Sequence, residues 1–154
     1  MYLWKMKLLK KQLSDHGLTE KQLFSYIFIY IALSAIGIEA MGYIPHQPSN
    51  AWTYVGSIIN VMIPIFGTIW IFRANGGESG THFSARYFSI GLVATIRFMV
   101  LLVPLLAVLV IYWVFSHDLE SDIPTTGIEI ALFTIWYAML YVYIAKHVRE
   151  VANA

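Results

Sequence analysis

Apolar residues along the chain form four long stretches that are separated by short polar segments. The stretches cover residues 24–43, 52–72, 88–115 and 128–145 approximately. A helix needs about 20 apolar residues to cross a hydrocarbon core about 30 Å thick, and all four stretches approach or exceed that length. The pattern therefore predicts an all-α, polytopic integral membrane protein, with a four-transmembrane-helix bundle as a single membrane domain over residues 17–154.

The first 16 residues have a different pattern, in which apolar and basic side chains share a short segment. The basic side chains are Lys5, Lys7, Lys10 and Lys11. The segment predicts a cytoplasmic basic amphipathic helix whose lysines contact the anionic headgroups of the inner leaflet. Alternatively, these lysines only fix the orientation of the chain. Thr19 and Gln22 then form a capping-box pattern that predicts the start of the first span.

The distribution of Lys and Arg predicts how the chain is oriented. Five lysines precede the first span, Arg73 and Arg86 lie between the second and third spans, and Lys146 and Arg149 follow the fourth. The loops at 43–50 and 117–127 contain neither Lys nor Arg. Because basic loops are retained in the cytoplasm, we expect both termini to be cytoplasmic, in the inner membrane of a bacterium.

Composition supports membrane insertion and gives no sign of catalysis. Hydrophobic residues make up 58% of the 154 residues and charged residues 12%, about half the usual share in soluble domains, and the mean hydropathy is +0.65. The chain has no cysteine, which excludes a disulfide framework and a thiolate metal site. The histidines lack the spacing of a helical metal site. We therefore expect no enzymatic activity, no metal or cofactor, and no nucleic-acid partner.

Three ionisable residues fall within the predicted spans, where each carries a cost of about 2.5–3.5 kcal/mol at mid-depth. Arg97 lies about 13 Å inside the third span. Asn60 of the second span is expected at a similar depth, and Glu39 of the first lies further out. We predict a buried polar cluster of Arg97, Asn60 and, as its more distant member, Glu39. The cluster would fix helix packing, form part of an ion or proton path, or supply a charge that pairs with a partner subunit. Glu129 is a second intramembrane carboxylate, close enough to the outer surface to reach the headgroups.

Asn60 also belongs to a row of small and polar residues that share one face of the second span. The row consists of Thr53, Gly56, Asn60, Pro64 and Gly67. Small residues allow two helices to approach closely in a membrane. This face is therefore expected to pack against another helix.

The longest predicted cytoplasmic loop runs from Arg73 to Arg86. Its sequence Asn75-Gly76-Gly77 is typical of a tight turn, because these residues tolerate positive φ. No Lys-Ser or Lys-Thr pair follows the glycines, so the loop is not a Walker motif. Either the loop is a connector whose arginines anchor the inner leaflet, or it docks a cytoplasmic partner.

Little of the chain lies outside the predicted spans, which favours a function based on contact. We expect a non-enzymatic membrane subunit that senses, anchors, protects or regulates a membrane or cytoplasmic partner protein, or that forms a homo-oligomer. Bacterial defence and immunity systems use proteins of this size and architecture, which is an analogy of architecture alone. The alternative is a small ion channel or transporter formed by an oligomer, with Arg97 and Asn60 lining the path.

Overall fold

The computed structural model describes residues 1–41, 43, 49–116 and 125–154. Over these residues the chain is all-helical, and its elements are α1 (Met6–Asp15), α2 (Glu20–Met41), α3 (Ala51–Ala74), a 3-10 turn (Gly77–Ser79), α4 (Phe83–Ser116) and α5 (Gly127–Ala152). Helices α2 to α5 are each long and apolar enough to cross a membrane. This confirms the prediction of four long apolar helices. Most of the two predicted outer loops lies outside the described residues.

Two of the long helices extend beyond the predicted apolar stretches. Helix α4 begins at Phe83, before the predicted start at residue 88, and α5 continues to Ala152, past the predicted end at residue 145. The added turns carry charged residues such as Arg86 and Lys146. A stretch defined by hydropathy stops at the first charged residue. The helix itself continues through Lys and Arg because both are good helix formers. The predicted limits therefore describe the apolar part of each helix.

Helix α1 buries one row of apolar side chains in the bundle. Met6, Leu9 and Leu13 recur at helical spacing and are 2%, 0% and 7% exposed, respectively. Past the end of the helix, Gly17 has a φ of +71°, a backbone conformation that residues with a side chain rarely adopt. Helix α1 packs against both α4 and α5, so the first 16 residues belong to the same packed unit as the long helices.

The long helices pack as neighbours in the order α2, α4, α5 and α3. Glycines allow α3 to approach α5 closely: Gly56 lies against Ile130 and Gly67 against the ring of Tyr141. A Cβ atom added to Gly67 would lie only 2.2 Å from Cδ1 of Tyr141. Part of the small-residue row predicted on this helix therefore does face another helix, and that helix is α5.

The buried side chains concentrate at the end of the bundle where α1 packs, which we call the α1 end. Ile71 of α3, Ile90 of α4 and Val148 of α5 are all fully buried there. Towards the opposite end, apolar side chains such as Val103 and Val108 are more than half exposed. Such a surface is stable when it faces lipid, since lipid tails are as apolar as these side chains.

Candidate functional site

Arg97 is held by the N-terminal segment and by α5. Its Nε and Nη2 atoms both donate to the carbonyl oxygen of Trp4, the Nε contact measuring 3.1 Å, and Nη1 donates to the Tyr143 hydroxyl at 2.9 Å. The guanidinium carbon also lies 5.6 Å from the centre of the Trp4 ring, within the range of a cation–π interaction. The guanidinium group therefore has three partners at the α1 end.

These partners differ from the predicted ones. Asn60 is exposed on α3, and α3 packs mainly against α5 rather than α4. Glu39 is exposed on α2 and has no hydrogen bond or ion pair within the part of the chain that the structure describes. The structure thus does not bring Arg97, Asn60 and Glu39 together. The acceptors that Arg97 requires come from a backbone carbonyl and a phenol, because α1 covers the face of α4 on which Arg97 lies.

The depth predicted for Glu39 relative to Arg97 also changes. Helices α2 and α4 touch where the rings of Tyr30 and Phe88 meet, with their centroids 5.7 Å apart. Residues 39 and 97 are each nine positions beyond that contact. Counted along the two helices from that contact, Glu39 and Arg97 therefore belong to the same level of the bundle.

Several polar contacts attach the N-terminal segment to the long helices. The Tyr26 hydroxyl accepts a hydrogen bond from the backbone N–H of Tyr2 at 2.8 Å and donates to the Tyr2 carbonyl at 3.1 Å. Lys10 forms an ion pair with Glu150 near the end of α5. Gln12 donates to Gln22 at 2.9 Å. These contacts hold both ends of α1 against the bundle.

The lysines predicted to contact lipid headgroups therefore differ among themselves. Lys5, Lys7 and Lys11 are exposed, whereas Lys10 is partnered by Glu150. A cavity of about 590 Å³ lies beside α1 and is lined by Lys5, Lys7 and Lys10 together with Arg97, among other residues.

The capping box predicted for the start of α2 is confirmed, since Thr19 and Gln22 exchange hydrogen bonds of 3.2 and 3.3 Å.

The loop between α3 and α4 is ordered around the side chain of Asn75. This amide is 2% exposed; its Nδ2 donates to the Thr81 carbonyl at 3.2 Å, and its Oδ1 accepts from Nη1 of Arg86 at 2.8 Å. Gly76 and Gly77 have φ values of +103° and +58°, which confirms the tight turn predicted at Asn75-Gly76-Gly77. Asn75 and Arg86 thus fix the shape of the loop from the inside.

The same loop forms a polar cavity of about 410 Å³ with the end of α5. Three arginines from three different helices line it, which are Arg73, Arg86 and Arg149. We call this the arginine cavity. The structure therefore brings together the predicted loop residues Arg73, Asn75, Gly76 and Arg86, and it adds Arg149, while Gly77 lies outside the lining.

Glu129 has a capping role at the start of α5. Its carboxylate accepts from the backbone N–H of Thr126 at 3.4 Å, and the Thr126 hydroxyl accepts from the backbone N–H of Glu129 at 3.3 Å. This reciprocal pair is a capping box, which satisfies two backbone donors at the helix start. The carboxylate is thus used in the first turn of α5.

Asn50 caps α3 in the same way and also links two segments. Its side chain accepts from the backbone N–H of Thr53 at 3.0 Å and donates to the carbonyl of Thr125 at 2.8 Å. The starts of α3 and α5 are therefore tied together, consistent with the close packing of these two helices.

Within the described ranges, no three His, Asp or Glu side chains converge as a metal site would require. His46 and His117 lie outside those ranges. Comparison of the chain with protein-family models, with curated proteins and with solved structures gives no match. The candidate sites therefore depend on the geometry of this chain alone.

Sequence reasoning missed three residues of these sites, namely Trp4, Tyr143 and Arg149. Trp4 acts through its backbone carbonyl, which no side-chain pattern reveals. Tyr143 and Arg149 both lie towards the end of α5, where the apolar pattern gives way to charges. An indirect signal did exist: an arginine inside an apolar helix requires acceptors, and tyrosines are common acceptors at membrane depth.

Proposed function

We propose that this chain is a non-enzymatic membrane subunit that acts by binding a partner protein or a second copy of itself through α2. The observation that carries the proposal is the exposure of the last third of α2, beyond Ser34. All residues from 34 to 40 are exposed, although a helix packed on a neighbour buries one face at every turn. Within the described residues, this last third of α2 therefore has no packing partner.

Glu39 makes contact with another protein more favourable than contact with lipid. An exposed carboxylate among apolar residues is costly in a membrane, by about 2.5–3.5 kcal/mol at mid-depth and by less towards the end of a helix, where Glu39 lies. A partner helix that supplies a hydrogen-bond donor would reduce that cost. Ala35 lies one helical turn before Glu39 on the same face and would let the backbone of a partner approach closely.

We also propose that the α1 end faces the cytoplasm of a bacterium and that the protein lies in its inner membrane. Except for Arg97, every basic residue lies in or next to α1 or near one end of a long helix. Lys21 is at the start of α2, Arg73 at the end of α3, Arg86 at the start of α4, and Lys146 and Arg149 in the last turns of α5. Retention of basic segments in the cytoplasm supports this orientation. A role in defence or immunity is supported by analogy of architecture alone.

The proposal can be tested by photo-cross-linking in intact membranes. A photoreactive residue at Ala35, on the same face as Glu39, should give a discrete cross-linked product. The matched control is Val61 of α3, which is 58% exposed and should react with lipid only. A product of twice the chain mass would identify a homo-oligomer, and any other discrete mass would identify a partner.

The substitution Glu39→Ala should remove the product formed at position 35, because the carboxylate would no longer favour the contact. If position 35 gives only lipid adducts, as position 61 is expected to do, the proposal is wrong. This outcome does not depend on the arginine cavity, which lies at the other end of the molecule.

The channel alternative has less support from the geometry. The Arg97 guanidinium is already bonded to Trp4 and Tyr143, and Asn60 is exposed on another helix, so the two residues do not line one path within the chain. Ion flux in reconstituted liposomes separates the two functions. Selective flux that is lost in Arg97→Gln would favour the channel.

A further inference from the structure

The arginine cavity combines three positive charges with no negative one. Arg73 comes from the end of α3, Arg86 from the start of α4 and Arg149 from the end of α5. Within the described residues, none of these guanidinium groups has an ion pair with a carboxylate, and no Asp or Glu lines the cavity. Three like charges around one opening repel one another, and an anion placed between them would relieve that repulsion.

The remaining lining of the cavity consists largely of small residues and hydrogen-bond donors. Besides the arginines and Asn75, the polar side chains are Ser79, Thr81 and Asn153. Gly76 and Gly80 also line the opening and add no side chain to it. Hydroxyl, amide and backbone N–H groups are the usual neutral ligands of an oxyanion.

The loop that forms this cavity is held in one shape by contacts within the chain. Asn75 bonds both Arg86 and the Thr81 carbonyl, and a Cβ added to Gly80 would lie 2.2 Å from the Asn75 carbonyl oxygen. Gly80 is therefore required for the loop to close on Asn75. A site whose backbone is already ordered loses less conformational entropy on binding.

We propose that the arginine cavity binds a phosphate group. Guanidinium groups bind phosphate through pairs of parallel hydrogen bonds, and Arg73 and Arg149 are free to do so because no other group in the described structure engages them. Arg86 has a second task, since its bond to Asn75 orders the loop. A cavity of about 410 Å³ falls within the size range of small-ligand sites.

A phosphate group could come from a soluble molecule or from a phospholipid headgroup. Both sources present the same tetrahedral oxyanion to the arginines. The position of the cavity at the end of three membrane-length helices places it near the headgroup layer and also in reach of solvent. The experiment therefore has one arm for each source.

The first arm titrates inorganic phosphate and pyrophosphate into the detergent-purified full-length chain and measures binding by calorimetry. The second arm measures retention of phosphatidic acid against phosphatidylcholine by native mass spectrometry. Both use the Arg73→Gln/Arg149→Gln variant, which leaves Arg86 and the loop intact. The Lys21→Gln/Lys146→Gln variant is the control, because it removes the same charge from two exposed positions that do not line the arginine cavity.

We expect the wild-type chain to bind at least one probe and the arginine variant to bind it about tenfold more weakly or worse, since each lost contact is a charged hydrogen bond. Binding of the soluble probes identifies a free phosphate, whereas selective retention of phosphatidic acid identifies a lipid headgroup. The proposal would be overturned if the wild-type chain bound none of the probes, or if the lysine control bound them as weakly as the arginine variant.

A folding control accompanies the titration. The thermal midpoint without phosphate should be the same in the wild-type chain and in the arginine variant, because both substituted side chains are exposed. If the double variant does not fold, Arg149→Gln alone is used, and unchanged binding in that variant contradicts the proposed site.

Discussion

Arg97 is the residue whose substitution best tests the observed packing of α1. Arg97→Gln removes the positive charge and two of the three donor positions, while it keeps a shorter polar side chain with one amide donor. Its partners in the structure are the Trp4 carbonyl and the Tyr143 hydroxyl. We therefore expect the substitution to loosen α1 and to leave the packing of α3 on α5 intact.

The size of the effect follows from these contacts. A hydrogen bond to a charged group contributes about 1.5–3 kcal/mol, and the lower limit applies here because Arg97 is only half-buried. Two acceptors then give about 3 kcal/mol, of which glutamine can restore about 1 kcal/mol with one neutral bond. The remaining loss of about 2 kcal/mol corresponds to an opening of α1 that is about 30-fold more frequent.

Hydrogen–deuterium exchange of the α1 amides, followed by mass spectrometry, measures this opening. Tyr143→Phe, which removes one of the two acceptors, should raise exchange about tenfold. Lys146→Gln removes a nearby exposed charge on α5 and should have no effect, and Asn60→Ala should also have none. Unchanged α1 exchange in Arg97→Gln, or a comparable effect in Asn60→Ala, would refute this account of Arg97.

Three further substitutions test the packing of the bundle and the loop. Gly67→Ala should destabilise the fold by about 1–3 kcal/mol because the new methyl group overlaps the ring of Tyr141. The control Gly37→Ala faces open space and should be neutral or stabilise α2 by up to about 1 kcal/mol. Thermal unfolding measures both variants, and equal effects would contradict the packing of α3 on α5. Leu9→Ala, at a fully buried position, should cost about 2–5 kcal/mol, and a similar loss in the exposed control Leu8→Ala would contradict the burial of α1. Asn75→Ala should lower the free energy of unfolding by about 1–3 kcal/mol, because it leaves buried polar groups unpaired. Proteolysis of the 76–80 loop should be faster in this variant, and an unchanged cleavage rate would contradict the role of Asn75 in ordering the loop.

The sequence was sufficient for the features that depend on local pattern. The four apolar helices follow from length and hydropathy, because a span must supply both. The turn at Asn75-Gly76-Gly77 and the cap formed by Thr19 and Gln22 follow from the conformations that these residue types prefer. The capping role of Glu129 could be predicted in the same way, since Thr126 precedes it by three positions. Because Glu129 lies in a predicted span, it was interpreted as an intramembrane carboxylate instead.

The remaining features depend on contacts between distant parts of the chain. The acceptor of Arg97 is a backbone carbonyl 93 positions away, and no residue type marks a carbonyl as available. Arg149 joins Arg73 and Arg86 only because the end of α5 reaches the loop between α3 and α4. The expected pairing with Asn60 assumed that the second and third spans are direct neighbours, whereas α5 lies against both α3 and α4.

The position of α1 has a consequence for the order in which the protein is made. Lys10 and Glu150 are 140 positions apart, and all the helices that α1 packs against are synthesised after it. Until the end of α5 has been synthesised, Lys10 lacks its partner Glu150. Contacts between such distant positions form late in folding, so we expect α1 to dock after α4 and α5 have packed together. A chain released before the last turns of α5 would have its apolar helices inserted but would lack the contacts that hold its first segment in place.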